Sequence, residues 1–531
     1  MSMNSEEQIE KNTKTTLTGG KLLTRIDKTV AGFVYSIIAF MLIAVGVMMF
    51  AYIVKYPSEF SVVEIFFWFP VAVVYTVGLY FFAKRLVNAK DLTVIVCVLC
   101  GASIIYLILL LTFDSQPASD WGAVWYQAQR IADGTFDGAD KTNYLYYYNW
   151  QLGMAVFEAG IIKVFGAHFV ILKILNFIIL NLISFMTYIV AKRTVGRTAA
   201  IYAFVFTAFY IPYLTSVGQF TNHQVSLLLI LLAVYLISLD KFRTTALSGA
   251  VLGVMNVFRP MAIVILIALF CLTVWKLISN GKRKDVIIKF VSEIACFVVV
   301  IVGFNVLFIK LGYTDMPVSS ARLPYFKFDK GLNGYLSPVD DLERFGYDYD
   351  AFNAWEKDNV ISALKNPFGT AKSVIKKMLD FTGTFNWQLE MSYNHDKSIV
   401  TAYPVKALYS TSWFTYLFLI IAAGIGYFYY RREHKRHLEL LPVIFIGLIL
   451  VHIFIEAFSS YRYEAYPFLL LMAGCFAANK DRFVADMKKF REKRRNAEAG
   501  GENKETEAEE TSNGKLCEYN ADGNDKTNSN E

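Results

Sequence analysis

FDSQPASDWGAVWYQAQRIADG (residues 113–134), followed by NYLYYYNWQLG (143–153) and KVFG (163–166), is the first long polar interruption in a strongly apolar chain. An Asp held at membrane depth costs roughly 2.5–3.5 kcal/mol on insertion scales, so an acidic, amide-rich segment beside an apolar run demands a reason. We read Asp120 as the centre of a site at the membrane edge.

Working outward, the 531 residues are 55% hydrophobic and 16% aromatic. Apolar runs of about 18–26 residues recur, each long enough to cross a hydrocarbon core of about 30 Å. The alternation expected of a membrane barrel is absent, so the pattern predicts an all-α polytopic membrane protein. The spans are expected near 29–54, 59–83, 91–113, 168–191, 198–216, 222–239, 244–257, 260–278, 286–311, 406–430, 438–458 and 462–479, about twelve in all. The pair within 244–278 also reads as one broken helix. Residues 150–165 are too short to span and carry Gln151, Glu158 and Lys163, which predicts an interfacial helix in the first long outer loop.

With that choice every short basic cluster falls on the cytoplasmic side: Lys84 to Lys90, Lys192 with Arg193, Lys241 with Arg243, Lys282 to Lys284, and Arg431 to His437. Residues 1–28 are expected to be a cytoplasmic segment, and 29–311 a bundle carrying the outer loop 114–166. A small extracytoplasmic domain over 312–405 should contain helices at Asp350–Asn366 and Thr370–Phe381. The last helices occupy 406–479, and the polar 480–531 reads as a disordered cytoplasmic tail. The apolar run from Thr29 is too long for a signal-peptide core and is read as a retained span. The formal charge of +7 is concentrated in short loops and the tail, which argues against a nucleic-acid partner. Cys97 and Cys100 form a CxxC without a second pair or a nearby His, so they are read as small buried residues. No zinc signature or disulfide framework is visible.

This topology gathers Asp114, Asp120, Asn222, His223, Gln224, Arg259, Arg462 and Glu464 on the outer side. Arginine presents a planar fork of donors to phosphate oxygens, a role that suits Arg259 and Arg462. A carboxylate such as Asp120 can accept a proton from a hydroxyl. Aromatic residues such as Tyr147 and Trp150 can flank a sugar ring. Plainer readings stand beside these: Asp120 as the N-cap of a helix from Trp121, the arginines snorkelling, Glu464 pairing with Arg462, His223 as an ordinary interfacial residue, and Tyr144 to Tyr148 as an aromatic belt.

The order of features resembles the GT-C superfamily of integral-membrane glycosyltransferases, in particular bacterial relatives of protein O-mannosyltransferases and the aminoarabinose transferase of lipid A. The resemblance rests on Asp120 leading a helix that ends at Gly134, on NYLYYYNWQLG leading to Phe165–Gly166, on GAVLGVMNVFRP with Arg259–Pro260, and on Arg462, Tyr463 and Pro467. It departs from the pattern at Trp121, where a second acidic residue is usual, and at Asn222–Gln224, where a carboxylate is usual. Three spans also precede the catalytic loop, two more than in better-known members.

The resemblance implies transfer of a sugar from a polyprenyl-phosphate donor to a hydroxyl of a glycan, lipid or protein acceptor, on the outer face of a bacterial plasma membrane. Asp120 would be catalytic, and Arg259, Arg462, Tyr463, His223, Asn222, Tyr147 and Trp150 would bind substrate. No metal ligands are assigned; a divalent cation is compatible with the chemistry but not indicated. The alternatives are a flippase or transporter of a lipid-linked glycan, or a glycan polymerase or ligase, with membrane lipid as the surrounding partner.

Overall fold

The computed structural model describes residues 5–55, 62–112, 115–279, 283–334, 338–383, 403–433 and 440–495. Asp114 lies outside them. Among the described residues every regular element is a helix. The first group comprises α1 (Ser5–Lys55), α2 (Val62–Leu86), α3 (Asp91–Thr112), α4 (Ser119–Asp133), α5 (Tyr144–Tyr147) and α6 (Leu152–Phe165). Next come α7 (Phe169–Thr194), α8 (Arg197–Ala208), α9 (Ile211–Thr215), α10 (Asn222–Ser238), α11 (Phe242–Phe258), α12 (Ala262–Ser279) and α13 (Arg283–Lys310). Four shorter helices follow: α14 (Phe326–Asn333), α15 (Pro338–Arg344), α16 (Tyr349–Lys365) and α17 (Pro367–Thr382). The chain returns to the bundle through α18 (Tyr403–Glu433), α19 (Leu440–Phe454) and α20 (Tyr466–Ala478).

Seven of the described helices are long and apolar enough to cross a membrane, or eight if α8 and the segment Ile211–Gly218 that includes α9, bent by 43°, form one span. Their outward faces carry large apolar side chains such as Phe50, Phe66, Leu111 and Val299. Lipid is the solvent such a surface requires, and the chain is an all-α membrane protein. The stretch expected as 198–216 is the broken pair α8 and α9, and the 244–278 pair is two helices interrupted at residues 259–261. The first helix begins well before residue 29, so the segment 1–28 is largely an extension of α1. Cys97, Cys100 and Cys271 are exposed on helix surfaces, and among the described cysteines only Cys475 is buried, which corrects the reading of the CxxC as core residues.

The 14 residues of α6 rise about 21 Å at 1.5 Å each, short of a full crossing. One face of α6 is buried through Leu152, Ala155, Ala159 and Ile162, and the helix packs along α4.

In the loop domain α16 and α17 fall where the two helices were expected. Asp348 caps the first by accepting from the backbone N–H groups of Asp350 and Ala351. Asn366 ends that helix before Pro367 and caps the next through Gly369 N–H. Tyr147, Tyr148, Leu323, Phe326, Leu342 and Phe352 form a core for this domain. The aromatic run is therefore not a lipid-facing belt: Tyr147 and Tyr148 are buried against the loop domain.

Residues 479–495 belong to a unit separate from the rest of the described chain. Its stretch 480–495 is helical, which corrects the expectation of disorder there. Half of the run is Lys or Arg, both good helix formers. The remainder of the expected tail lies outside the described residues.

Candidate active site

Asp120 is the second residue of α4, whose N-cap is Ala118 with no side-chain capping bond. It is therefore not the helix cap. Ser119 just before it has φ 52°, a left-handed conformation that costs an L-residue roughly 1–2 kcal/mol. The turn at the start of α4 carries this strain where Asp120 comes near Lys327, Lys330 and Tyr144, and the space between these groups is the recess of the candidate site. Trp121, next along, is buried and meets His223 edge to face with ring centroids 6.0 Å apart. At its far end α4 stops on Gly134 at φ 72°.

The Asp120 side chain keeps contact with solvent, yet protein crowds it on most sides. That crowding raises its pKa above the usual carboxylate value, against the opposing pull of Lys327 and Lys330 and with the help of Glu456. The Tyr144 hydroxyl is within hydrogen-bonding reach.

The two lysines come from α14, where the sequence FKFDKGLN sets them three positions apart on one helix face. Both donate to Glu456: Lys327 to Oε2, and Lys330 to Oε1 at 3.1 Å. Tyr461 adds a hydroxyl bond to Glu456 Oε2 at 3.2 Å. Burial alone would push the Glu456 carboxyl up, but the two ammonium groups outweigh it and hold the pKa down at about 2. Lys330 is pushed down by burial and by its neighbour Lys327, whereas in Lys327 the attraction of Glu456 overcomes burial and raises the pKa.

Two contacts seat α14 on the bundle. Glu456 N–H donates to the Lys327 carbonyl at 2.9 Å. Lys377 of α17 donates to the carbonyls of Gly331, Ile453 and Ile455 at 2.6, 2.9 and 2.9 Å, tying the end of α19 to α14. Gly331 lies so close to α19 that a Cβ would come within 2.1 Å of the Phe454 carbonyl oxygen. An aromatic wall flanks the recess: Tyr144 meets Tyr148 at 5.0 Å, Tyr148 meets Trp150 at 5.2 Å, and Lys327 lies over the Trp150 ring at 5.6 Å.

A second, fully buried cluster adjoins the recess. Glu464 lies 3.0 Å from His223 Nδ1 and 3.0 Å from Arg259 Nε. The Arg259 Nε approach is off the N–H axis, so this contact is an ion pair without a formed hydrogen bond. Arg259 also reaches His223 Nε2 and Asn222 Oδ1, both at 3.4 Å. Because arginine can only donate, His223 Nε2 accepts and Nδ1–H donates to Glu464, which fixes a neutral tautomer. Asn222 donates to Gln151 Oε1 at 3.1 Å and to the Phe258 carbonyl at 3.2 Å. Arg259 lies over the ring of Tyr461 at 4.8 Å, so Tyr461 joins the two clusters.

Asp120, Trp150, Asn222, His223 and Arg259 are thus gathered at one end of the bundle, from segments far apart in the chain. Four expectations change. Glu464 pairs with Arg259 and His223, not with Arg462. Arg462, only 2% exposed, instead donates to the carbonyls of Ser459 and Gly383 and lies over Tyr416 at 4.8 Å. Tyr463 is 0% exposed, meets the Tyr213 ring at a tilt with centroids 4.6 Å apart and bonds Ser216 Oγ at 3.1 Å, so it is a packing residue and does not line the recess. Tyr147 is buried in the loop-domain core, and Tyr144 is the tyrosine that reaches Asp120. Gln224 closes a capping box with Thr221 at the start of α10.

Sequence reasoning overlooked Lys327 and Lys330; two lysines three apart in a loop helix were the available signal. Glu456 fell inside the expected span 438–458, and the structure places it just past the end of α19. Among the described residues no group of three or more His, Cys, Asp or Glu is placed to hold a metal ion. No protein-family model matches the chain, and no curated protein matches it.

Proposed function

We propose that this protein is a glycosyltransferase that moves a sugar from a polyprenyl-phosphate carrier to an acceptor hydroxyl on the outer face of a bacterial plasma membrane. On this reading the chain crosses the membrane about twelve times, with α4, α6 and the loop domain outside. The observation that carries the proposal is the recess itself: a solvent-reachable carboxylate, raised above its ordinary pKa, facing two lysines and a wall of tyrosines at the end of an apolar bundle.

In the proposed reaction Asp120 takes the proton from the acceptor hydroxyl, whose oxygen attacks the anomeric carbon. The bond from that carbon to the carrier phosphate breaks with inversion, and the electron pair leaves on the phosphate. A raised pKa brings a carboxylate base closer to the working pH and favours proton acceptance. Lys327 and Lys330 supply point charges for the phosphate. They therefore take over the role first given to Arg259 and Arg462, whose guanidinium groups are engaged inside the protein. Glu456 holds the lysines in place when no anion is bound.

The test is turnover of polyprenyl-phosphate sugars by purified protein, following loss of sugar from the carrier. Wild-type protein should release free carrier phosphate, and Asp120→Asn, still folded, should not. Transbilayer movement of intact carrier without cleavage would replace this reading with a flippase.

A further inference from the structure

A cavity of about 290 Å³ opens at the other end of the same helices, between the last turn of α10 and parts of α11, α12 and α13. Its floor is Glu293, 2% exposed, whose carboxylate accepts from Ser248 Oγ at 2.5 Å; among the described residues this is its one hydrogen-bond partner. The sequence builds this contact through Gly249: a Cβ there would fall 2.0 Å from the Glu293 carbonyl oxygen, so only glycine lets α11 and α13 approach so closely.

Asp285, Lys289 and Glu293 repeat every four residues along one face of α13, a stripe about 12 Å long. At the mouth, Lys289 Nζ lies 2.8 Å from Asp285 Oδ2 and donates to the Asp240 carbonyl at 2.9 Å, while Lys276 Nζ lies 3.5 Å from Asp240 Oδ1. The two lysines are thus engaged by the two mouth carboxylates. Three carboxylates face two ammonium groups, and Glu293, which feels the charge of Lys276 but has no ammonium at ion-pair distance among the described residues, is the one left over. Between mouth and floor the walls are apolar, formed by Leu269, Leu272, Val286 and Phe290.

We propose that this cavity binds a primary alkylammonium: the ammonium pairs with Glu293 at the floor, and a short methylene stem lies along the apolar walls. A bare metal ion fits less well, because no second carboxylate or imidazole joins Glu293 to complete a coordination shell. The site is independent of the Asp120 recess and of the activity proposed for it.

Isothermal titration of the full-length protein in detergent micelles at constant ionic strength tests the site, with n-butylammonium as probe and tetramethylammonium as a cation without N–H donors. Butylammonium should bind at least tenfold more tightly than tetramethylammonium, and Glu293→Gln should weaken it at least tenfold. Thr273→Phe, which fills the cavity and keeps the carboxylate, should block it, and this arm stands alone if the glutamine variant does not fold. No heat from butylammonium, equal affinity for both cations, or unchanged affinity in either folded variant would overturn the proposal.

Discussion

Lys330 Nζ sits 3.1 Å from Glu456 Oε1, across 126 positions of sequence. Lys327 reaches the other oxygen of the same carboxylate, so one acidic residue after α19 anchors both lysines of α14. The anchor places those cations where Asp120 and Lys327 feel one another's charge. Loop-domain docking and the charge of the recess are consequently one feature.

If the lysines hold the donor phosphate, Lys327→Ala with Lys330→Ala should act mainly on binding. We expect KM for a polyprenyl-phosphate sugar to rise at least tenfold, with kcat falling less than in Asp120→Asn. Steady-state kinetics over donor concentration separates the two. A double variant that lowers kcat alone would move the lysines out of the binding role.

Gly331→Ala tests the docking. Its methyl would collide with backbone at Phe454, which cannot yield as a flexible side chain can, so α14 must shift. The shift would carry Lys327 and Lys330 away from the recess. The expected result is a loss of activity of tenfold or more with helical content unchanged by circular dichroism.

The helices were legible because membrane spans announce themselves: long apolar runs, basic clusters between them, and caps such as Asp348 and Asn366 that mark ends locally. The start of the site was legible for the same reason, since Asp120 interrupts apolar sequence at a helix terminus. The partner of each charge was not. Arg259 and Arg462 look alike in sequence, both near a proline at the end of an expected span. Only tertiary packing decides that Arg259 meets Glu464 and that Arg462 turns into carbonyls and Tyr416. Lys327 and Lys330 sat in a loop whose amphipathic helix was too short to stand out.

The Glu464–Arg259 pair should behave as a buried ion pair. Removing one partner leaves an uncompensated buried charge, a cost of about 3–5 kcal/mol. Arg259→Met and Glu464→Gln should therefore each lower thermal stability strongly, while the double variant should lose less than the sum of the two. Thermal unfolding of all four proteins gives the coupling; additive losses would show that the contact carries no interaction energy.

The raised pKa of Asp120 fixes the sign of the pH response. A general base must be ionised, so activity should fall as pH drops through a pKa lying above the ordinary carboxylate value. Lys327→Met and Lys330→Met remove the charges that restrain this rise. Each should move the acid limb of kcat/KM to higher pH, and a limb unmoved by both would separate it from Asp120.

Glu356 on α16 is 1% exposed and raised from 4.5 to about 8, first by burial and then by the negative charge of Asp329, against a smaller opposing effect of Lys330. Its Oε2 has no hydrogen-bond partner among the described residues. The folded protein therefore holds a proton here that the unfolded chain releases near pH 4.5. Between those two values the folded state binds more protons than the unfolded one, so stability declines as pH rises across that window and levels off above about pH 8. The full loss is at most on the order of 5 kcal/mol, at 1.36 kcal/mol per pH unit. Glu356→Gln keeps the shape and removes the titration. Its unfolding midpoint should change less than that of wild type between pH 6 and pH 8.5, and at pH 8.5 it should be the more stable protein; a wild type whose midpoint is flat across this range would mean that Glu356 is already ionised in the fold.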